Sequence, residues 1–147
     1  MHNRKIQFKK YNEYLGNDVH RFAPDAVIFV PTRELTIQVA NIIRKLTEGS
    51  GIRCQSFFRD QVFRNADHRE MQETDKLGRA AKGVNIMIST LGFLNYLKKR
   101  QAIAFHRLSH LVFDEADELF DENFREDIMD FMDWSGKELQ IICLLYR

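Results

Sequence analysis

The chain has 147 residues, 44% of them hydrophobic and 29% charged, with a formal net charge of +1; this fits one globular domain with a real core and excludes disordered, fibrous and two-domain classes. No apolar run approaches the ~20 residues of a membrane span, and the opening stretch MHNRKIQFKKYNEYL has basic residues but no apolar signal-peptide core. Cys54 and Cys143 are too few and too far apart for a disulfide framework or a zinc site; both lie in apolar runs and are expected as reduced core thiols of an intracellular protein, in cytoplasm or nucleus.

Taken in chain order, AVIFV (26–30) reads as a first strand. Residues 33–48 form a helix in which Leu35, Val39, Ile42 and Leu46 make one apolar stripe, ended by the left-handed backbone that Gly49 and Gly51 permit. A second strand, IRCQSFF, follows at 52–58. Asp67 and Glu70 have the spacing of a capping box that opens a helix through about Lys82. NIMIS (85–89) is the third strand, 91–101 a helix, HLVFD (110–114) the fourth strand, 122–133 a helix, and LQIICLL (139–145) the fifth strand. Strands that are almost wholly apolar and alternate with helices predict an α/β fold: a parallel β-sheet with flanking helices and right-handed crossovers.

Ligands of such sheets bind at the carboxyl ends of the strands, and the informative residues stand there. Asp114 ends a strand and Glu115 follows at once in LVFDEADELFDE. A carboxylate fixed at a strand end can hold Mg²⁺, and a second beside it can orient and deprotonate a water. The competing reading is that acids opening a helix are favoured by its dipole. After the first strand, Thr32, Arg33 and a helix N-terminus make a phosphate-binding corner, or Thr32 is an N-cap and Arg33 a surface charge. After the third, Ser89 and Thr90 precede Gly92, where backbone can approach a ligand closely. Residues 111–147 hold 11 acidic and 3 basic residues, a balance of −8, whereas residues 1–110 carry +9; this suits a polyanion on one face and a metal on another, or two solvated surfaces of opposite sign.

In this order, PTRELTIQ, STLGFL and VFDEADELFDENF resemble the first, N-terminal RecA-like domain of the DEAD-box RNA helicases, over roughly residues 20–143. The resemblance implies a P-loop NTPase type of fold spanning 1–147 as a partial ATP-binding domain. It implies that Pro31, Thr32, Arg33 and Glu34, with Thr90 and Gly92, grip RNA backbone phosphates. It makes Asp114 the magnesium-side carboxylate for bound ATP, Glu115 the general base, and Asp117 a link between ATP and RNA. The implied partner is single-stranded RNA bound without regard to sequence, with a protein partner as a further possibility.

The departures are equally specific. No Gly-x-x-x-x-Gly-Lys-Ser/Thr occurs, and the only Gly-Lys, Gly136-Lys137, stands far past the acidic motif. The chain starts just after the place where that loop would stand, so the domain is expected to lack its phosphate-loop strand. That strand is expected beside the one ending in Asp114, so that its loss either leaves two strands without partners or forces the sheet to close differently. Leu91 and Phe93 replace the Pro and Arg of the family's Thr-Pro-Gly-Arg motif. No Gly-Gly pair follows the second strand, and Leu145-Tyr146-Arg147 stands where Ser-Ala-Thr is expected. Arg59, Arg64 and Arg69 fall where the Gly-Gly loop would run and are candidates to replace its RNA contacts. The resemblance also implies a second RecA-like domain with an arginine finger, which is expected to be missing from these 147 residues.

Two function classes follow: a fragment or divergent member of an ATP-dependent helicase, inactive alone, or a non-catalytic RNA- or protein-binding module. His106 and His110 have a metal-like spacing, but entry into a strand between them argues against one shared helix face. Phe120, Phe124, Phe131 and Trp134 are expected as core or helix-packing residues. Leu97–Gln101 reads as a basic helix C-terminus.

Overall fold

The structure, a computed structural model, describes residues 23–58, 83–99, 103–135 and 138–145. Its strands are β1 (Ala26–Phe29), β2 (Cys54–Phe57), β3 (Ile86–Ser89), β4 (His110–Phe113) and β5 (Gln140–Cys143). Its helices are α1 (Arg33–Leu46), α2 (Leu91–Lys99), the single turn α3 (Ala116–Leu119) and α4 (Glu122–Ser135). Each strand falls inside the run that its apolar pattern marks out. The helix expected over 67–82 and Arg59, Arg64 and Arg69 lie outside the described residues.

The five strands form one sheet in the order β2-β3-β1-β4-β5, all pairs parallel. β1 is central, with Phe29 in register with Ser89 on one side and Phe113 on the other. Of the two outcomes expected beside the strand ending in Asp114, unpaired backbone or a sheet that closes differently, the second occurs. β4 pairs with β1 and with β5, so its backbone groups are satisfied on both sides. The last strand occupies the position that the sequence reading reserved for a missing one. Among the described residues, the open edge on that side of the sheet belongs to β5.

Alternation along the strands divides the core between two faces. Val27, Phe29, Met87, Leu111 and Phe113 face one layer, where they meet Leu94 and Leu97 of α2 and Ile128 and Phe131 of α4. Phe131 is the hub of this layer, edge-on to Phe29 at 5.3 Å and to Phe105 at 5.1 Å, while Phe29 and Phe113 stack at 5.5 Å. Such aromatic pairs add roughly 0.5–1.5 kcal/mol each beyond their buried area. The opposite face is smaller: Val30, Cys54 and Ile88 lie against Ala40 of α1.

The buried stripe of α1 differs from the expected one. Thr36 and Ala40 are buried, Leu35, Val39 and Ile43 are partly so, and Ile42 and Leu46 are exposed. The small residues let the helix approach β2 and β3 closely, and the Thr36 hydroxyl donates to the Arg33 carbonyl at 2.5 Å, which removes the cost of burying it. Gly49 and Gly51 do adopt positive φ, 78° and 77°. Cys54 is buried as expected, but Cys143 is exposed because it lies on the sheet edge.

Candidate functional site

Three loops leave the carboxyl ends of β3, β1 and β4, which are neighbours in the sheet. Backbone bonds continue the ladder past the strands and bind the loops to one another. Val30 N–H donates to the Ser89 carbonyl at 3.2 Å, and Asp114 N–H to the Phe29 carbonyl at 2.9 Å. The segments carrying Thr90, Thr32 and Asp114 therefore emerge side by side on one rim.

On the β1 loop, Thr32 has extended backbone and caps α1: its Oγ1 accepts from Leu35 N–H at 3.3 Å and its carbonyl from Thr36 N–H at 3.2 Å. The N-cap reading of Thr32 is thus correct. It remains compatible with a phosphate role, since a hydroxyl that accepts one bond still has a proton to donate. Pro31 is half-buried and Glu34 is exposed in the first turn. The Arg33 guanidinium lies over the Phe58 ring at 4.9 Å from its centroid. This cation–π contact fixes the head group at the rim, and Phe58, read from sequence only as a strand residue, is the support that sequence reasoning missed. An aromatic at the end of β2 was visible; its meeting with Arg33 was not.

On the β3 loop, Ser89 is fully buried and its hydroxyl donates to the Thr90 carbonyl at 3.1 Å. Thr90 is half-buried at the start of α2, and its carbonyl accepts from Leu94 N–H at 3.1 Å. Gly92 is exposed, with open space where a Cβ would project, so backbone there is accessible to a ligand. Leu91 and Phe93, the replacements for proline and arginine, are core residues at 2% and 3% exposure, and Phe93 stacks on Tyr96. The position of the family's arginine is therefore spent on packing.

The β4 loop carries the acidic cluster. Glu115 is the one non-glycine with positive φ among the described residues, at φ 52° and ψ 52°. That conformation costs an L-residue roughly 1–2 kcal/mol and persists only when its surroundings over-determine it. The neighbours supply this constraint. Glu115 N–H donates to Asp114 Oδ1 at 3.2 Å, its carbonyl accepts from Glu118 and Leu119, and Ala116 N–H donates to the Leu144 carbonyl beyond β5 at 2.9 Å. Ala116 is buried, which pins the turn, while Asp117 and Glu118 are exposed. Partial burial, then the charges of Glu118, Asp114 and Asp117, push the Glu115 carboxyl above its ordinary range. A half-buried carboxyl raised in this way is suited to take up a proton.

Among the described residues, no group of three or more His, Cys, Asp and Glu is arranged to hold a metal ion. The one or two carboxylates of this loop match the mode in which Mg²⁺ keeps its waters and is held mainly by substrate phosphates, not a protein cage. His106 lies in a turn and His110 in β4 beside the Ser109 hydroxyl at 2.7 Å, so the pair shares no helix face. Phe131 and Phe124 pack in the core layer, but Phe120 is exposed, tilted over Phe113 at 5.1 Å. The Trp134 side chain lies outside what the structure describes. Lys98, near the end of α2, pairs with Asp130 of α4.

A family model for DEAD/DEAH box helicases matches residues 9–144. The chain belongs to the DEAD/DEAH box helicase family. It is 35% identical over 118 residues to the human ATP-dependent DNA helicase DDX31, covering 80% of this chain and 13% of that protein. It is 39% identical over 103 residues to the ATP-dependent RNA helicase HAS1 of Lodderomyces elongisporus, covering 69% of this chain and 17% of that one. The chain thus spans less than a fifth of the length of these two helicases. Among solved structures, the ADP-bound RNA helicase Prp28 of Chaetomium thermophilum superposes with a TM-score of 0.61 at 23% identity, covering 91% of this chain and 30% of the helicase. Yeast Prp28 gives 0.63 at 21% identity over 83% of this chain and 27% of its own. These likenesses place the sheet and its flanking helices in the RecA-like fold. No helix among the described residues is long and apolar enough to cross a membrane.

Proposed function

We propose that residues 1–147 are part of the N-terminal RecA-like, ATP-binding domain of a DEAD-box RNA helicase, with Asp114, Glu115 and Asp117 as its catalytic acids. The observation that carries this reading is the strained left-handed backbone of Glu115 on the loop between β4 and α3, one strand from the Thr32 and Arg33 corner. Strain retained beside a strand end directs a carboxylate to a defined place. Asp114 would hold Mg²⁺ together with the phosphates of ATP, and the ion would neutralise charge on the transferring phosphoryl group. Glu115, its proton affinity raised, takes the proton of an attacking water. Pro31, Thr32, Arg33, Glu34, Thr90 and Gly92 form the RNA-binding rim. The N-termini of α1 and α2 add positive potential there, and phosphate contacts of this kind are indifferent to sequence and sensitive to salt. Cytoplasm or nucleus is the matching compartment.

The test of the catalytic reading is a chimera that supplies a phosphate loop and a second RecA-like domain. Glu115→Gln in that chimera is expected to lower RNA-stimulated ATP hydrolysis by about 10²–10⁴. A rate unchanged by the substitution would overturn the assignment. The 147-residue chain by itself is expected to turn over no ATP, because no Gly-x-x-x-x-Gly-Lys-Ser/Thr is present to cradle phosphates. Steady turnover that is abolished by Asp114→Ala would refute this.

A second reading, a non-catalytic RNA- or protein-binding module built on the same rim, is favoured by the burial of Phe93 where the family has arginine. The two readings share the RNA prediction. Arg33→Ala should weaken single-stranded RNA binding and reduce its salt slope by about one phosphate, measured by salt titration with a short labelled RNA. An unchanged slope removes Arg33 from the interface.

A further inference from the structure

In the proposed function the carboxyl ends of β3, β1 and β4 carry the site, and β2 has no part in it. Yet the end of β2 reaches the rim through one side chain. Phe57 is in register with Ser89 of β3, so Phe58, the next residue, stands level with Thr90. Phe57 packs in the larger core layer and Cys54 in the smaller one, against α1. Side chains alternate along a strand, which puts Phe58 on the α1 side together with Cys54. The helix is fastened to that strand: Arg44 Nε donates to the Cys54 carbonyl at 3.3 Å, and Cys54 Sγ lies 4.0 Å from the Ala40 carbonyl. From Ala40 back to Arg33 the helix rises about 10 Å, and from Cys54 on to Phe58 the chain advances about 13 Å. The first residue of α1 is thus brought level with the end of β2, and the Arg33 guanidinium lies over the Phe58 ring, 4.9 Å from its centroid. Phe58 is 9% exposed, so the ring is itself held by its surroundings.

We infer that Phe58 is a positioning residue for RNA binding: it acts by holding the Arg33 guanidinium in place before RNA arrives, so that β2 enters the interface indirectly. The inference rests on the reading of Arg33 as a phosphate contact. An arginine side chain has many rotamers, and fixing one of them on binding costs affinity. A ring already under the guanidinium removes part of that cost. Unlike a carboxylate, a phenyl ring holds a guanidinium without neutralising it, so the charge stays available for phosphate. Phe58 therefore sets the strength of the Arg33 contact and leaves unchanged the number of charges that RNA meets.

The test is a salt titration of the 147-residue chain against a short labelled single-stranded RNA. The proteins compared are the parent, Phe58→Leu, Phe58→Tyr, Arg33→Ala and the double variant of Arg33→Ala with Phe58→Leu. Phe58→Leu keeps an apolar side chain against α1 and removes the ring. It is expected to weaken binding about two- to tenfold at every salt concentration, with the parent's slope, because Arg33 keeps its charge. Phe58→Tyr retains the ring and should bind as the parent does. In the Arg33→Ala background Phe58→Leu should cost nothing further, since residues that act as one unit are non-additive. Circular dichroism checks that each variant is folded, and Phe58→Met, another apolar side chain without a ring, takes the place of Phe58→Leu if that variant is not. Parent-like binding by Phe58→Leu, while Arg33→Ala binds more weakly, overturns the inference and leaves the RNA reading intact. The same holds for an equal loss from Phe58→Leu with and without Arg33, for a loss that Phe58→Tyr shares, and for a slope that Phe58→Leu lowers. Parent-like binding and slope in Arg33→Ala overturn the reading of Arg33 itself, and the inference with it.

Discussion

At the amino ends of the strands, Asp25 is gripped by Arg107 through two bonds of 3.0 and 2.9 Å, and Asn85 Nδ2 donates to the same carboxylate at 2.9 Å. The Asp25 carbonyl accepts from Ser109, Asn85 Oδ1 accepts from Arg53 N–H, and Gln140 N–H bonds to the Ser109 carbonyl. One polar belt thus crosses the starts of all five strands. At the carboxyl ends the arrangement is reversed. Glu115 is strained, several acids stand together, and each loop is held by a few backbone bonds. The amino rim spends its polar groups on one another, so they can do nothing else. The carboxyl rim leaves hydroxyls, carboxylates and helix N-termini less engaged with one another, at some cost in stability. Local strain at one rim is tolerated where the opposite rim is well bonded, and the proposed function places the ligand at the strained one.

Substitutions at the two rims should therefore act in opposite directions. The largest effect is expected from Asp25→Ala, which leaves Arg107 and Asn85 without their acceptor. Both members of the ion pair are substantially exposed, so the loss is about 1–2 kcal/mol and not that of a buried pair. Urea denaturation should show a lower midpoint at unchanged slope. Asp114→Ala, on the other rim, should shift the same midpoint by less than ~0.5 kcal/mol. A larger loss at Asp114 than at Asp25 would break the comparison.

A gain is expected from Glu115→Gly, which relieves the left-handed strain but loosens the unfolded chain. The net rise in melting temperature is about 1–3 °C, and a fall would mean that the carboxylate, not the backbone, holds the turn together.

The smallest effect is electrostatic and depends on pH. The folded chain raises the Glu115 carboxyl above its ordinary value of 4.5, so the folded state binds that proton more tightly than the unfolded one. Stability attributable to this group falls as pH rises from the ordinary value through the raised one, and the penalty is full above it. Glu115→Gln should accordingly be more stable than the parent at neutral pH, with the difference closing as pH falls below 4.5. Thermal melts of both proteins across that range check the sign.

Periodicity located every described strand and the three longer helices, because short apolar runs and helical stripes are local signals. It misplaced the buried face of α1, since packing against β2 and β3 selects Thr36 and Ala40 over the larger Ile42 and Leu46. A stripe defined by hydrophobicity cannot register how close a helix must come. Cys143 was misjudged for a related reason: a strand in a parallel sheet is expected to be covered on both faces, but β5 is at the edge. The acidic motif and the Thr32 and Arg33 corner were legible because their residues are contiguous. The Asp25 clamp was not, because Arg107 lies 82 residues away and neither residue belongs to a motif.

The sequence alone determined the fold class, the family and the identity of the three loops, since each depends on short stretches whose chemistry and spacing are read directly. The order of the strands was decided only by the tertiary structure. A strand's neighbours are set by which edges find complementary backbone and which faces find helices, and nothing in a four-residue apolar run encodes that choice. This is why β5 lies beside β4 and why no gap is left next to Asp114.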